Sequence, residues 1–256
     1  MGYQWTSKAS REGGHLMKRT FVISDIHGHQ DAFFDLLKQV NFTDDDFLYI
    51  LGDVIDRGPD GISLLRSIMR QPNMYLLLGN HELMMLEVFG VLGKVSDSEE
   101  LLEMWVQNGG ALTYHSFLKL SLQEQQELLD FLEDCPLYEQ ITLEQGEFLL
   151  VHAGIRPLPG LHWEDQLNAQ TPRDLLEIRK EFLQSPLTEF PLTIVHGHTP
   201  TLMYPRISAL SPATRGISIE PNRIGIDCGA AMNAQLGLYC LTDGSCYYVD
   251  IPKVES

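Results

Sequence analysis

Cysteine is scarce in this chain: Cys135, Cys228, Cys240 and Cys246 are the only four in 256 residues, with no C-x-x-C pair and no zinc-type spacing. That argues against a disulfide scaffold or a cysteine-ligated zinc, and for free thiols, buried or half-buried, in a reducing compartment. Long apolar runs are missing too. No stretch approaches the roughly 20 apolar residues of a membrane span, and Met1 to Leu16 lacks the apolar centre of a signal peptide. Basic residues are few, 18 Lys and Arg against 35 Asp and Glu, for a formal net charge of −17. A surface of that sign repels a phosphate backbone, which argues against nucleic-acid polymers or a membrane as partner. Local basic residues and bound cations can still grip a small phosphate. Neither a linker-like composition nor an internal repeat divides the chain. Met17-Lys18-Arg19 stands just before the first apolar run like a second start. Residues 1–16 are therefore expected to be a disordered extension, and 17–256 a single domain in the cytoplasm.

What the chain does have is alternation. Thr20 to Ser24, Phe47 to Leu51 and Met74 to Leu78 read as strands. Between and after them come helical patterns over Gln30 to Val40, over the run Ile62, Leu64, Leu65, Ile68 and Met69, and over Glu82 to Phe89. This is the βαβ rhythm of an α/β domain with a largely parallel sheet. Residues 96–133 turn helical and acidic, with two helices flanking a turn or loop at Asn108-Gly109-Gly110. A hairpin then follows around Glu144-Gln145-Gly146, and a helix is expected over Asp174 to Leu183. Thr193 to His196, Arg223 to Asp227, Gly237 to Leu241 and Cys246 to Val249 make the second half strand-rich, and Pro200 to Asn222 reads as a long exposed loop. The expected fold class is α/β, one domain with two packed sheets and helices outside.

Five polar motifs interrupt this pattern: Ser24-Asp25-Ile26-His27-Gly28, Gly52-Asp53-Val54-Ile55-Asp56-Arg57-Gly58, Gly79-Asn80-His81-Glu82, His152-Ala153-Gly154 and His196-Gly197-His198-Thr199. Each of the first four follows an apolar run that reads as a buried strand. Taken singly, each has a bland reading: an Asp bonding its own turn, an Asn capping a helix with Glu82 favouring its dipole, a satisfied core histidine. Together they are hard to assign to chance, because Asp, Asn and His recur at strand ends. These residues suit divalent manganese, iron or zinc, and with no cysteine among them the pattern points to a catalytic site open to water.

The ordered set Asp25-x-His27, Gly52-Asp53-x-x-Asp56-Arg57-Gly58, Gly79-Asn80-His81-Glu82, His152-x-Gly154 and Gly197-His198 resembles the phosphoprotein phosphatase family of calcineurin-like metallophosphoesterases. Trp105-x-x-Asn108-Gly109-Gly110 and His152-Ala153-Gly154 resemble its bacterial branch, which includes Ser/Thr protein phosphatases and symmetrical diadenosine tetraphosphatases. The resemblance implies two packed mixed β-sheets flanked by helices, and two divalent metal ions per chain, Mn2+ first, with Fe or Zn as alternatives. It places the first metal on Asp25, His27 and Asp53, and makes Asp53 a bridge to the second, completed by Asn80, His152 and His198. It makes His81 the general acid, oriented by Asp56, and gives substrate phosphate to Arg57 and Asn80. A second phosphate-binding arginine is expected from the helix after His152, where Arg179 is the choice and Arg156 the rival. His196 would support a ligand from behind. Ser24 departs from the Gly many members carry, and Glu177 replaces a Trp common two residues before the helix arginine.

The implied reaction is hydrolysis of a phosphoester by direct attack of a metal-activated hydroxide. The substrate is expected to be a phosphorylated Ser/Thr protein. The alternatives are a dinucleoside polyphosphate, or a metal-dependent phosphate sensor without turnover.

Overall fold

Thr20–Ile23 is apolar without alternation because both of its faces are covered. Phe21 and Ile23 point into a core shared with the helices, whereas Val22 points into a second core. The same division recurs on other strands. Leu149 and Ile194 belong to the first core, while Phe148, Leu150 and Val195 join Val22 in the second. The second core is thus the layer between two sheets, and the first lies beneath the helices. The computed structural model describes residues 19–91, 98–187, 190–207 and 214–252; the expected extension over 1–16 lies outside the described residues.

In chain order the elements are β1 (Thr20–Ile23), α1 (Gln30–Gln39), β2 (Phe47–Ile50), α2 (Gly61–Ile68), β3 (Met74–Leu76), α3 (Asn80–Val88), α4 (Ser98–Trp105), α5 (Ala111–Phe117) and α6 (Leu122–Glu133). They continue with β4 (Tyr138–Leu143), β5 (Gly146–Val151), α7 (Trp163–Asn168), α8 (Pro172–Glu177), α9 (Lys180–Gln184), β6 (Thr193–His196), α10 (Tyr204–Ile207), β7 (Ser218–Glu220), β8 (Arg223–Gly225), β9 (Gln235–Cys240) and β10 (Cys246–Asp250). One sheet has the order β10-β9-β1-β2-β3 and the other β4-β5-β6-β8-β7. β1, β2 and β3 are parallel, as are β5, β6 and β8, while the outer hairpins add antiparallel strands and make both sheets mixed. Parallel strands end on the same side, so the motifs that follow β1, β2, β3, β5 and β6 gather at one end of the sandwich.

Two local expectations are corrected, and a third is met in a particular form. The helix expected over Asp174 to Leu183 is broken: Ile178 is extended (φ −64°, ψ 142°) and Arg179 leaves helical geometry before α9 begins. Leu175, Leu176, Phe182 and Leu183 are buried on either side of the break, so apolar spacing alone could not reveal it. Asn108-Gly109-Gly110 is the expected turn between two helices: it ends a π-type turn over Val106–Gly110 that joins α4 to α5, with only Gly109 leaving helical angles (φ 104°, ψ 8°). The segment from Pro200 to Asn222, as far as it is described, is largely not exposed: Thr201, Tyr204, Ile217 and Ser218 are buried. Among the described residues no helix is long and apolar enough to cross a membrane, and the four cysteines are free thiols.

Arg19 ties the start of β1 to the connection between α1 and β2. Its Nε and Nη2 donate to the buried Asp46 carboxylate at 2.9 and 2.6 Å, and its Nη1 donates to the Val40 carbonyl at 2.8 Å. Burial alone would raise the pKa of Asp46, but bonds from Arg19 and from the Thr43 N–H outweigh it and hold the carboxyl below the ordinary 3.8. Asp46→Asn is therefore expected to lower stability by about 2 kcal/mol, the worth of a charge-assisted bond pair. The sign follows from linkage: the contribution is complete above the unfolded-state value and disappears as pH falls through the depressed folded-state value. Urea midpoints of parent and variant should differ at pH 7 and converge in acid; a difference that persists unchanged in acid would refute it.

Candidate functional site

The motif residues leave their strands in conformations that side chains seldom adopt. Asp25, His27, Asp53, Asp56, Arg57 and His198 all have positive φ, between 48° and 71°. Asp and His tolerate this region better than most residues; Arg57 is the strained member. The turns are held by bonds between loops: Asp25 N–H to Gly52 O, His27 N–H to Asp53 O, Gly28 N–H to Val54 O and Arg57 N–H to Gly109 O, all between 2.8 and 3.1 Å. Two glycines permit the close approach. A Cβ on Gly79 would lie 2.3 Å from Asp53 Oδ1, and one on Gly197 would lie 2.2 Å from Asp25 Oδ2.

Asp53 is the centre. Its Oδ2 lies 3.7 Å from His27 Nε2 and 3.8 Å from His81 Nε2, and its Oδ1 lies 3.5 Å from His152 Nε2. Two groups of buried side chains converge closely enough to hold a metal ion: His27, Asp53 and His81, and Asp53, His152 and His198, sharing the Asp53 carboxylate. Asn80 Oδ1 lies 2.9 Å from His152 Nε2, and His198 Nδ1 lies 3.2 Å from the same nitrogen. Asp25 lines the same cavity. Its Oδ2 accepts from the His198 N–H at 2.8 Å and from the Ser24 hydroxyl, so the residue that departs from the usual Gly bonds the carboxylate directly.

The electrostatics suit cations. Burial would raise the pKa of Asp53, but His152, His81, His27 and His198 around it outweigh burial and hold the carboxyl well below its usual range. Burial pulls His27 down to about 3 and His198 well below 6.5, leaving both neutral and able to ligate. Asp25 is raised by burial, with Asp53 adding to it. Asp227, buried in the same cavity, is raised well above its ordinary value by burial and then by Asp25. Buried carboxylates facing one another with neutral imidazoles form an oxygen and nitrogen donor set that divalent cations accept.

Beside this centre, His81 Nδ1 donates to Asp56 Oδ2 at 2.6 Å. Burial opposes charge on His81, but Asp53 and Asp56 more than compensate and raise its pKa. Arg57 Nη2 lies 3.3 Å from His81 Nε2. Arg57, Arg179 and Asn108 line the cavity, of about 300 Å3, together with the motif residues; Pro200, Met203, Ile207, Ala231 and Met232 form its apolar side. Arg179, freed by the break between α8 and α9, donates to the His198 carbonyl at 3.0 Å. Arg156 instead pairs with Asp174 at 3.2 Å and does not line the cavity. His196 is buried with its ring stacked on Tyr204 and edge-on to Phe182; Tyr204 Oη lies 3.2 Å from its Nε2. Its Nδ1 faces the Gly197 carbonyl, so it supports the backbone just before His198.

Two residues escaped the sequence reading. Glu82, read there as a helix-dipole acid, reaches back to accept from the N–H groups of Asp53 and Val54 at 2.8 Å, Gly79 at 3.0 Å and Ile55 at 3.3 Å. Asp227 stands at the end of β8 as the other acids stand at the ends of theirs, and its place in the run Ile226-Asp227-Cys228-Gly229 was a usable signal.

Residues 18–226 match the calcineurin-like phosphoesterase family. The chain is 30% identical over 194 residues, 75% of its length, to the symmetrical bis(5′-nucleosyl)-tetraphosphatase of Salmonella paratyphi C. It spans 60% of the length of that relative. A solved structure of a protein proposed to be a diadenosine tetraphosphatase superposes with a TM-score of 0.65 at 20% identity, covering 92% of this chain and 94% of the other. A serine/threonine phosphatase from Saccharomyces cerevisiae superposes with a TM-score of 0.57 at 15% identity, covering 93% and 81%. At these identities the two structures speak to the fold alone.

Among the described residues the hydrogen bonds to Glu82 all come from N–H donors, so the ionised carboxylate fits, although burial and then Asp53 push its pKa up to about 7. Glu82→Gln turns an amide NH2 toward those donors and is expected to cost about 2–4 kcal/mol of stability. It should also weaken divalent-metal binding by displacing Asp53. Thermal melts and Mn2+ calorimetry test both, and a variant as stable as the parent would refute the anchoring role.

Proposed function

This chain belongs to the calcineurin-like phosphoesterase family, and we propose that it is a phosphoester hydrolase that uses two divalent metal ions. The observation that carries this is the single Asp53 carboxylate shared by two buried donor groups, with His81 held next to it by Asp56. In this reading Asp25, His27 and Asp53 hold one ion, and Asp53, Asn80, His152 and His198 hold the other. When bound, the ions would lower the pKa of water so that it attacks phosphorus at neutral pH, and would offset the charge on the phosphoryl oxygens.

The chain's own residues do the rest. Arg57, Arg179 and Asn80 hold the phosphoryl oxygens and orient the ester for in-line displacement. His81 keeps a proton on Nε2, where it reaches the oxygen of the departing group, and donates it as the ester bond breaks. Asp56 accepts Nδ1–H, which steadies the imidazolium and fixes the ring's direction. Against the effect of burial, Asp53 and Asp56 raise the pKa of His81, which favours that proton. A binding-only sensor has no use for a hydrogen-bonded acid pair, so the geometry supports turnover. Mn2+ is the first choice of ion, and the oxygen and imidazole donors equally accept Fe or Zn. Residues 17–256 act as one catalytic domain in the cytoplasm, where the four thiols would stay reduced.

Two substrate classes follow. A dinucleoside polyphosphate is supported by the 30% identity to a symmetrical tetraphosphatase. A phosphorylated Ser/Thr protein is supported by the cavity's partly apolar lining beside Arg57 and Arg179. Rates on a phosphoserine peptide and on diadenosine tetraphosphate, measured with the same Mn2+-loaded protein, separate them; a chelator should abolish both.

Equilibrium dialysis should find two Mn2+ per chain. Asp53→Asn should weaken both sites by more than about 10-fold, since a neutral amide replaces the shared carboxylate. Retention of two tightly bound ions in that variant would sink the bridging role.

A further inference from the structure

The end of α4, the π-type turn Val106–Gly110 and α5 hold Asp56 and Arg57 at three points. Trp105 Nε1 donates to Asp56 Oδ2 at 2.6 Å, Thr113 Oγ1 accepts from the Asp56 N–H at 3.0 Å, and Gly109 O accepts from the Arg57 N–H at 3.0 Å. Both residues held are in the left-handed region (φ 71° and 66°). Trp105 is fully buried, and its indole lies against Gly110, where a Cβ would come within 2.5 Å of Nε1. Phe89 and Tyr114 meet the ring edge-on at 6.3 and 6.2 Å, so its plane has little freedom.

The indole N–H goes to the same Asp56 oxygen that accepts from His81, while Asp56 Oδ1 is buried with no hydrogen-bond partner among the described residues. A carboxylate held by a single bond to one oxygen can swing about its Cβ–Cγ bond and carry the imidazole with it. A fixed second donor on Oδ2 removes that freedom. We propose that Trp105 is a positioning residue for the acid pair: its N–H pins the Asp56 carboxylate in the one rotation that aims His81 Nε2 into the cavity. This rests on the reading of His81 as the general acid.

The test compares Trp105→Phe and His81→Gln with the parent on two Mn2+-supported substrates, p-nitrophenyl phosphate, whose leaving group needs little protonation, and phosphoserine, whose leaving group needs much. Misaiming the acid is expected to lower kcat for phosphoserine about 10- to 100-fold and for p-nitrophenyl phosphate only severalfold, with Mn2+ affinity unchanged. In the metal-free full chain, the proton on His81 Nδ1, shifted far downfield by a short bond to a carboxylate, should move upfield in Trp105→Phe. Should that variant not fold, replacing Trp105 by β-(3-benzothienyl)alanine keeps the ring shape and deletes only the N–H, and the same outcomes apply. A loss of equal factor on both substrates at position 105, or an unmoved His81 proton, overturns the proposal. If His81→Gln shows the leaving-group dependence and the Trp105 variants do not, the proposal alone falls. If His81→Gln itself loses the same factor on both, the acid reading falls and the proposal with it.

Discussion

One carboxylate organises the site without facing the cavity. Glu82, at the third position of α3, accepts N–H groups from Asp53, Val54, Ile55 and Gly79. Four backbone donors that would otherwise lie buried and unpaired are satisfied by one side chain. The turn after β2 and the start of α3 thus become a single rigid piece. Asp53 Oδ1 then accepts from the His81 N–H at 3.1 Å, so Asp53 and His81 are fixed relative to each other. Because both oxygens of Glu82 are used, the geometry tolerates neither an amide nor a shorter acid.

From that piece outward, each sheet contributes half of the centre. The first sheet brings Asp25, His27 and Asp53 on turns that bond to one another. The second brings His152 and His198, joined by the Gly197 N–H to His152 O bond at 2.7 Å. His152 also reaches across, its Nδ1 lying 2.6 Å from the Leu51 carbonyl of the first sheet. That bond sets which imidazole nitrogen is free to ligate. The sandwich therefore does more than bury apolar surface: the spacing of its two layers sets the distance between the halves of the donor set.

Charge explains why the arrangement needs a cation. Asp25, Asp53, Asp56, Glu82 and Asp227 are all nearly inaccessible and lie within one end of the molecule. Bonds from N–H groups and imidazoles offset part of that cost, and divalent ions would offset the remainder. With such ions bound, Arg57 and Arg179 beside them would complete a local field opposite in sign to the chain's net charge of −17. A small anionic ester is drawn to such a place although the protein as a whole repels polyanions.

The βαβ alternation, the strand-end motifs and the choice of Asp, Asn and His were legible in the chain because each is a local matter: a buried strand reads as an unbroken apolar run, and a turn with positive φ selects its residues within a few positions. The reach of Glu82 to residues 53–55, the bond from Trp105 to Asp56 and the turn of Arg179 toward His198 were not legible. They join positions 19 to 49 residues apart, and nothing in the intervening sequence encodes which side chain will face which. Arg179 shows the difference most plainly. The family resemblance marked it for the cavity, but apolar spacing made it part of a continuous helix, and only the tertiary structure broke that helix at Ile178 and turned its guanidinium to the His198 carbonyl.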